Sequence, residues 1–358
     1  MLVLGINSGT SVDGLDFALV DWDANDLKKF KIIKELSFEF DPIVKKEIEV
    51  LIAKQKCTLE ELAQLNYKLS QFTAALTLDF IQEVPEYKIE LIGMHGQTVF
   101  HGTGATMQLG NPSVVAKLTG IMTIGDFRSG DIALNGCGAP LMSFFDDQIL
   151  RSPNEAIATL NIGGIANITV MEPGKPTIAY DTGPGNTLVD CLMKKLFKQD
   201  YDIDGQVAFQ GRIDQRFIEQ IIYRTPYFKQ EPPKATGREL FDEKYADRFL
   251  DLGNKENIIT NVSYFTAHTI SVELKKYNIK KVYVSGGGMH NKFIMHYLEA
   301  MNSGVSFMTH EEFNIRGQFK EAMLFSLLAF TCYKKINNNV PSSTGAKRAT
   351  ILGVIALP

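Results

Sequence analysis

The chain has 358 residues, a length that fits about two domains, each able to bury its own core. Hydrophobic residues make up 45% of it and charged residues 22%, proportions typical of a soluble globular protein. The net charge is −4 and no run of Lys or Arg stands out, so we expect no nucleic-acid partner, because such partners require a basic surface. The N-terminus enters an apolar strand without a basic leader, so we expect neither secretion nor contact with a membrane.

The spacing of cysteine and histidine argues against several further classes. The four cysteines are scattered and form no C-x-x-C pair, so we expect reduced thiols in a cytoplasmic protein and no zinc site. None of the six histidines lies four residues from another, which removes a helical His-x-x-x-His metal site. The chain also lacks the sequence patterns of P-loop enzymes, dinucleotide dehydrogenases and α/β-hydrolases.

The first 22 residues predict a β-hairpin around a small polar loop. Apolar runs at residues 2–6 and 15–20 flank residues 7–14, which hold two glycines, three hydroxyl groups and the carboxylate of Asp13. Glycine lets backbone N–H groups approach a ligand closely, and hydroxyls donate hydrogen bonds. The loop therefore suits the phosphates of a nucleotide with its Mg²⁺, the alternative being a long turn without a ligand.

A similar pattern occurs in mid-chain. Residues 158–162 form an apolar run, Gly163 and Gly164 follow, and residues 165–171 form a second run. Two hairpins of this kind predict a duplicated α/β fold that holds a nucleotide between its halves. The pattern resembles the architecture shared by sugar kinases, actin and Hsp70-type ATPases.

The rest of the first half alternates strands and helices. We predict a third strand over residues 30–40, a helix over residues 42–56 and a longer helix that begins at a capping box, residues 58–61. A short helix is predicted from Asn111, as N-cap, to Gly120. The buried strand at residues 89–93 leads to a polar cluster.

That cluster is Met94-His95-Gly96-Gln97-Thr98. Polar residues at the end of a parallel strand are where open α/β sheets place ligands. His95 either contacts a ligand or only ties down the loop.

A second polar cluster follows the predicted strand at residues 121–125. Within residues 126–131, Arg128 lies between two aspartates. Its planar fork suits a carboxylate or several oxygens of a ligand, the alternative being an internal salt bridge. The glycine-rich residues 135–140 predict a hinge between domains.

Asp181 follows a short predicted strand, residues 178–180, and precedes a Gly-Pro-Gly turn and a helix. A carboxylate in this position suits a catalytic base or a metal ligand, the alternative being a turn former. Further on, a strand at residues 281–284 leads to three glycines, residues 286–288, which would let the backbone lie against a nucleotide. A helix over residues 318–336 carries Glu321 near its start, and the last apolar segment is expected to return to the first domain.

Nine short motifs, in order along nearly the whole chain, resemble those of the anhydro-N-acetylmuramic acid kinase family. They are residues 9–16 (GTSVDGLD), 95–98 (HGQT), 126–128 with 131 (DFR, D), 138–140 (GAP), 161–167 (NIGGIAN), 181–186 (DTGPGN), 233–239 (PKATGRE), 286–288 with 291 (GGG, N) and 320–322 (KEA). One departure is Asn135-Gly136-Cys137-Gly138, where the family usually has Gly-Gly-Gln-Gly.

The resemblance implies a two-domain α/β fold, the duplicated actin-like or sugar-kinase fold, with the nucleotide in the interdomain cleft. The expected domains are residues 1–128 with 343–358, and residues 129–342. The implied activity is a kinase that opens 1,6-anhydro-N-acetylmuramic acid with water and phosphorylates O6, using ATP and Mg²⁺. It yields N-acetylmuramic acid 6-phosphate and ADP in cell-wall recycling. A small amino-sugar substrate and a homodimer are further expectations.

The resemblance also assigns roles to residues. Asp181 is the implied catalytic base that activates water, and Asp13 is the implied contact to Mg²⁺ through water. The implied nucleotide-binding residues are Gly9, Thr10, Ser11, Val12, Asp13, Gly14, Leu15, Asp16, Gly163, Gly164, Gly286, Gly287, Gly288 and Asn291. The implied substrate-binding residues are Thr98, Asp126, Arg128, Asp131, Glu321 and His95.

Two other functions fit parts of the pattern. A plain sugar kinase of the same superfamily would use Asp181 to deprotonate a free hydroxyl group. A non-kinase ATPase related to actin or Hsp70 would bind ATP through the same hairpins and would not need Arg128.

Overall fold

The polypeptide forms two units, which a computed structural model describes for residues 1–9, 12–237 and 239–358. The first unit consists of Met1–Leu150 and Gln318–Pro358, and the second of Arg151–Gly317. These divisions differ from the expected ones after residues 128 and 342. The reason is that the segment after residue 128 bonds to the C-terminal segment: the Cys137 N–H donates to the Thr344 carbonyl at 2.8 Å, and the Lys347 N–H to the Leu134 carbonyl at 2.9 Å.

The first unit is built on one mixed sheet. Its strands are β1 (Leu2–Ser8), β2 (Gly14–Asp21), β3 (Lys31–Glu39), β4 (Leu91–Gly102), β5 (Ala105–Leu109) and β6 (Thr123–Gly125), joined by the last strand of the chain, Val354–Ala356. The first three are antiparallel neighbours, and β4 and β6 continue the sheet parallel to β1. The predicted hairpin and third strand are therefore confirmed. The last strand pairs with β6, so the C-terminal segment returns to the first unit as expected.

The second unit repeats this topology. Its strands are β7 (Ala156–Ile162), β8 (Ile165–Met171), β9 (Ile178–Pro184), β10 (Ile279–Ser285) and β11 (Ser306–Thr309), and the last strand of the chain is thus β12. The order is β11-β10-β7-β8-β9, with β7, β8 and β9 antiparallel and β10 and β11 parallel to β7. The first sheet has the corresponding order β6-β4-β1-β2-β3. The predicted duplicated α/β fold is therefore confirmed.

The helices follow the predicted pattern. They are α1 (Pro42–Lys54), α2 (Leu59–Gln82), α3 (Pro112–Thr119), α4 (Ser129–Ala133), α5 (Met142–Phe145), α6 (Thr187–Phe197), α7 (Gln215–Arg224), α8 (Glu243–Ala246), α9 (Lys255–Leu274), α10 (Lys292–Met301), α11 (Lys320–Tyr333) and α12 (Pro341–Thr344). Thr58 and Glu61 form the predicted capping box, and α3 begins after Asn111 and ends at Gly120. No helix among the described residues is long and apolar enough to cross a membrane.

Helix α11 lies directly on the first sheet because two strands carry glycine beneath it. A Cβ at Gly5 would stand 1.8 Å from the carbonyl oxygen of Ala322, and one at Gly93 would stand 2.1 Å from that of Phe325. Almost every residue of α11 is buried. The contact places the start of α11, where Glu321 lies, beside the end of β1.

Candidate functional site

Asp181 is held by hydrogen bonds on both sides of its backbone. The predicted strand 178–180 continues as β9 to Pro184, so Asp181 lies within the strand, opposite Asn167, and not at its end. The Asp181 N–H donates to the Lys234 carbonyl at 3.1 Å, and the Tyr227 hydroxyl donates to the Asp181 carbonyl at 2.6 Å. These bonds fix the position from which the carboxylate extends.

The carboxylate of Asp181 is oriented by a single donor. The Thr236 N–H donates to Oδ2 at 2.9 Å, and no described residue donates to Oδ1. Burial raises the pKa of Asp181 to about 6, the negative charge of Glu239 adds to the rise, and the Thr236 N–H opposes it. A carboxylate with this pKa is still ionised at neutral pH and is a stronger base than an ordinary aspartate, as general-base catalysis requires.

The glycine loops of the second unit meet at one end of its sheet. The Asn186 N–H donates to the Gly163 carbonyl at 2.8 Å, and the Gly185 N–H donates to the Gly164 carbonyl at 2.9 Å. On the neighbouring parallel strand, a Cβ at Gly286 would stand 2.7 Å from Oδ1 of Asn161. The loops after β7, β9 and β10 therefore pack backbone against backbone.

Gly287 is less crowded than the two glycines on either side of it. A Cβ at Gly288 would stand 2.2 Å from Cγ2 of Ile162, whereas a Cβ at Gly287 would meet nothing closer than Nδ2 of Asn186, 3.8 Å away. Of the three glycines at residues 286–288, Gly287 is therefore the one beside which a ligand has most room to approach the backbone. Asn291, also predicted to bind nucleotide, instead caps α10: its Oδ1 accepts from the Phe293 and Ile294 N–H groups at 3.1 Å.

The loop between β1 and β2 is partly described. Thr10 and Ser11, two of the predicted phosphate contacts, lie outside the described residues. Val12 is buried, has a positive φ of 56° and donates its N–H to the Gly9 carbonyl at 3.3 Å.

The remaining predicted loop residues divide between core and surface. Gly14 and Leu15 belong to β2, and the Leu15 side chain packs in the core. The Asp16 carboxylate accepts from the Ser37 hydroxyl. Asp13 is exposed and forms an ion pair with Lys45 at 2.8 Å, which raises the pKa of Lys45. Asp13 is thus the carboxylate of this loop that remains accessible to a ligand.

Gln97 forms hydrogen bonds to Ser8 and Gly9, at the start of the loop between β1 and β2, a role that the sequence did not reveal. Its side chain is fully buried, accepts from the Ser8 hydroxyl and donates to the Gly9 carbonyl at 3.3 Å. The expected strand 89–93 runs on as β4 to Gly102, so the polar cluster at residues 94–98 lies within the strand and not after it. A glutamine within a buried strand is the feature that could have indicated this role.

Arg128, His95 and Glu321 lie together in the first unit. The Arg128 Nε–H donates to Nε2 of His95 at 3.0 Å, and Nη1 donates to the Gly138 carbonyl at 2.7 Å. His95 stacks on Phe325, with ring centroids 4.5 Å apart. Burial lowers the pKa of Arg128, and the charge of Glu321 opposes that shift, which places Glu321 near the guanidinium.

The other predicted substrate residues have separate local roles. Asp126 is exposed, has a positive φ of 54° and accepts from the Ser129 N–H at 3.1 Å, which starts α4. The Thr98 hydroxyl accepts from Nε2 of Gln108 at 3.3 Å. Glu321 accepts from Nδ2 of Asn7 at 2.6 Å.

Asp131 does not fit the substrate-binding role predicted for it. It is fully buried, and its carboxylate accepts from the Gly138 N–H at 2.9 Å, the Thr344 hydroxyl at 2.8 Å and Nδ2 of Asn339 at 3.0 Å. A carboxylate with these donors orders the loop against the C-terminal segment. The alternative stated for this cluster was an internal salt bridge, but these donors to Asp131 are neutral, so the contacts are hydrogen bonds and not ion pairs.

Two functional features of the second unit were missed. Lys234 and Thr236 lie in the motif at residues 233–239, to which no role was assigned. Tyr227 and Glu273 carry no sequence signal, because only the fold brings them to β9. Among the described residues, no group of three acidic, histidine or cysteine side chains could hold a metal ion.

Comparison with known proteins identifies one family over the whole chain. The sequence profile of that family, described as anhydro-N-acetylmuramic acid kinase, matches residues 1–358. A protein of that name from Caldanaerobacter subterraneus subsp. tengcongensis is 35% identical over 384 residues, covering 99% of this chain and 97% of the relative. The namesake from Vibrio vulnificus is 34% identical, covering 99% and 98%. The namesake from Bacillus cereus is also 34% identical, with both chains covered completely.

Likeness to solved structures is weaker. Component A of the Acidaminococcus fermentans (R)-2-hydroxyglutaryl-CoA dehydratase is 12% identical, with a TM-score of 0.45 over 94% of this chain and 100% of the other, too low to bear on function. The profile and the full-length relatives decide the assignment: this chain belongs to the anhydro-N-acetylmuramic acid kinase family.

Proposed function

We propose that this protein converts 1,6-anhydro-N-acetylmuramic acid, ATP and water into N-acetylmuramic acid 6-phosphate and ADP. Membership of a kinase family supports the phosphoryl transfer. The observation that supports the ring opening is the Asp181 carboxylate, which has one oxygen held by the Thr236 N–H, the other without a donor among the described residues, and a pKa of about 6. The role in cell-wall recycling is an expectation from the family resemblance.

The anhydro sugar needs a base for water, because its O6 has no proton. O6 is joined to C1 in an acetal, so a base that deprotonates a hydroxyl group would have nothing to remove at O6. In the proposed reaction Asp181 takes a proton from water, and the water oxygen bonds to C1 and keeps its other proton. The C1–O6 bond breaks, O6 bonds to the γ-phosphorus, and ADP leaves. The base and leaving group parallel those of an inverting glycosidase.

Arg128 is the proposed contact for the lactyl carboxylate of the sugar. Its Nε and Nη1 are occupied by His95 and Gly138, and Nη2 donates to no described residue, so one side of the guanidinium remains available. Arginine binds carboxylates through such a planar edge. Thr98, Asp126 and Glu321 remain proposed sugar contacts, whereas His95 acts on the substrate through Arg128.

The proposed nucleotide contacts are glycine loops. Residues 9–16 would surround the β- and γ-phosphates, and Gly163, Gly164 and residues 286–288 would approach the rest of the nucleotide. A Mg²⁺ carried by phosphate oxygens needs only one or two protein carboxylates, so the exposed Asp13 fits as a contact through water. The ion would neutralise phosphate charge during the transfer.

We also propose a homodimer in the cytoplasm. The dimer is an expectation from the family resemblance. The cytoplasmic location is supported by Cys57, Cys137, Cys191 and Cys332, which are all free thiols, as in proteins of a reducing compartment.

The test is an assay of ADP release with the purified protein and each of two sugars. We expect turnover with 1,6-anhydro-N-acetylmuramic acid and none with free N-acetylmuramic acid, and in ¹⁸O-labelled water we expect the label at C1 of the product. Turnover of the free sugar alone would make the protein an ordinary hydroxyl kinase and would refute the role of Asp181 in ring opening.

A further inference from the structure

A buried ion pair lies next to Asp181. Nζ of Lys234 is 2.7 Å from Oε1 of Glu273, and the two side chains are only 1% and 3% exposed. Lysine and glutamate are almost never fully buried without a partner, and a buried pair usually costs about as much in lost hydration as it returns in attraction. Its retention therefore calls for a reason other than stability.

The pair is fully enclosed by its neighbours. Oε2 of Glu273 accepts from the Tyr180 hydroxyl at 3.0 Å and from Nζ of Lys276 at 2.8 Å. Nζ of Lys234 lies 4.9 Å from the centre of the Tyr227 ring. Two of these neighbours also adjoin Asp181: Tyr180 precedes it in β9, and the Tyr227 hydroxyl donates to its carbonyl.

The segment 234–236 connects the pair to the carboxylate. The Lys234 carbonyl accepts the Asp181 N–H at 3.1 Å, and two residues later the Thr236 N–H donates to Oδ2 of Asp181 at 2.9 Å. The backbone of this segment thus runs beside β9 and is anchored by the Lys234 side chain. A shift of the Lys234 side chain would therefore also shift the Thr236 N–H, which orients the Asp181 carboxylate.

We propose that the Lys234–Glu273 ion pair is a positioning device for Asp181, which fixes segment 234–236 so that the Thr236 N–H holds one carboxylate oxygen and leaves the other directed at water. This inference rests on the proposed role of Asp181 as the base. An ion pair serves this purpose because a charge-assisted hydrogen bond has a preferred length and angle and so fixes the end of the Lys234 side chain. An apolar contact would let the segment shift. Lys234 and Glu273 are positioning residues and touch no substrate in this role.

The pair acts on Asp181 through the backbone and not through its own charges. The causes of the raised pKa of Asp181 are burial, the opposing Thr236 N–H and the charge of Glu239. Tyr227 also faces Asp181, but its own pKa is raised far above neutrality, so it does not titrate in the working range. Loss of the Thr236 hydrogen bond therefore raises the pKa of Asp181 further, because only burial and Glu239 remain.

The test compares three variants. The double variant Lys234→Met/Glu273→Gln removes both charges and leaves no unpaired buried ion, so it should fold. We expect kcat to fall by ~10–100-fold with KM for the sugar unchanged, and the acid limb of the kcat profile to move to higher pH. Lys276→Met is the matched control, since it removes another bond to Glu273 without touching segment 234–236, and should keep the wild-type kcat and pH profile.

A measurement independent of activity separates this proposal from the proposed function. The carboxyl carbon of Asp181 can be assigned in ¹³C NMR spectra by its loss in Asp181→Asn, and its titration followed in wild type and in the double variant. A pKa that is higher in the double variant supports positioning even if Asp181→Asn retains full activity, a result that would refute only the proposed function. A folded double variant with wild-type kcat and an unchanged Asp181 titration would overturn the inference.

Discussion

The Nε–H of Arg128 donates to Nε2 of His95, at 3.0 Å, and this bond fixes the protonation state of the histidine. A nitrogen that accepts from a guanidinium carries no proton, so His95 is neutral with its proton on Nδ1. Burial and the positive charge of Arg128 both hold the pKa of His95 well below its usual range. His95 therefore orients Arg128 and does not serve as an acid or base near neutral pH.

Replacing His95 should weaken sugar binding more than chemistry. His95→Ala removes the acceptor of the Arg128 Nε–H, together with the imidazole ring that Phe325 holds in place by stacking. We therefore expect KM for the sugar to rise ~10-fold with a smaller effect on kcat. Steady-state kinetics measure both. His101→Ala is the control, because His101 is exposed and bonds only to Thr106 among the described residues. A loss of kcat alone in His95→Ala would contradict the orienting role.

Arg128→Lys should separate carboxylate recognition from catalysis. Lysine keeps the charge and loses the planar edge, so we expect kcat/KM for the anhydro sugar to fall by ~10–100-fold. The control is chemical: an anhydro-N-acetylhexosamine without the lactyl group should be used poorly, and equally so by wild type and variant. If the variant lost as much rate with that sugar, Arg128 would not be the contact for the carboxylate.

Part of this site was predictable from the sequence and part was not. Hairpins, caps and glycine turns are local signals, so the two sheets could be predicted, but not that β9 continues past Asp181 to Pro184. The bonding of Asp131 could not be predicted because its partners, Thr344 and Asn339, are supplied by a segment some 200 residues away in the chain. The role of Glu273 could not be predicted either, because no periodicity in α9 indicates that its carboxylate bonds to Lys234, a residue from another part of the chain.

The kcat of the reaction should increase with pH up to a plateau if Asp181 is the base. The base must be ionised, and burial raises the pKa of Asp181 to about 6, so kcat should rise about tenfold per pH unit well below 6 and level off above it. In Asp181→Asn we expect turnover ~10²–10⁴-fold slower, with ATP binding by calorimetry unchanged. A profile flat from pH 5 to 8 would exclude Asp181 as the titrating base.

The ionised carboxylate of Asp181 should lower the free energy of unfolding. Because its pKa is raised from 3.8 to about 6 on folding, the folded state favours the protonated form, and this stabilisation is lost as pH rises through that window. Asn keeps an oxygen for the Thr236 N–H and has no charge to bury. We therefore expect Asp181→Asn to unfold with a free energy ~1–3 kcal/mol higher than wild type at pH 8 and nearly equal at pH 4, measured by urea denaturation. Equal stability at both pH values would mean that the ionised carboxylate is well solvated.

Neighbouring glycines in the loop after β10 should respond differently to alanine. A Cβ at Gly288 would collide with Ile162, 2.2 Å away, so Gly288→Ala should destabilise the second unit by ~1–3 kcal/mol. The nearest atom to a Cβ at Gly287 would be Nδ2 of Asn186, at an ordinary contact distance of 3.8 Å, so Gly287→Ala should fold with the wild-type melting temperature.

Gly287→Ala therefore tests the nucleotide contact without disturbing the fold. If the nucleotide lies against this backbone, the added methyl group should raise KM for ATP by ~10-fold or more and leave KM for the sugar unchanged. Gly317→Ala is the matched control, since a Cβ there meets nothing within 4 Å. A wild-type KM for ATP in Gly287→Ala would place the nucleotide away from this loop, because a nucleotide against this backbone would contact the added methyl group.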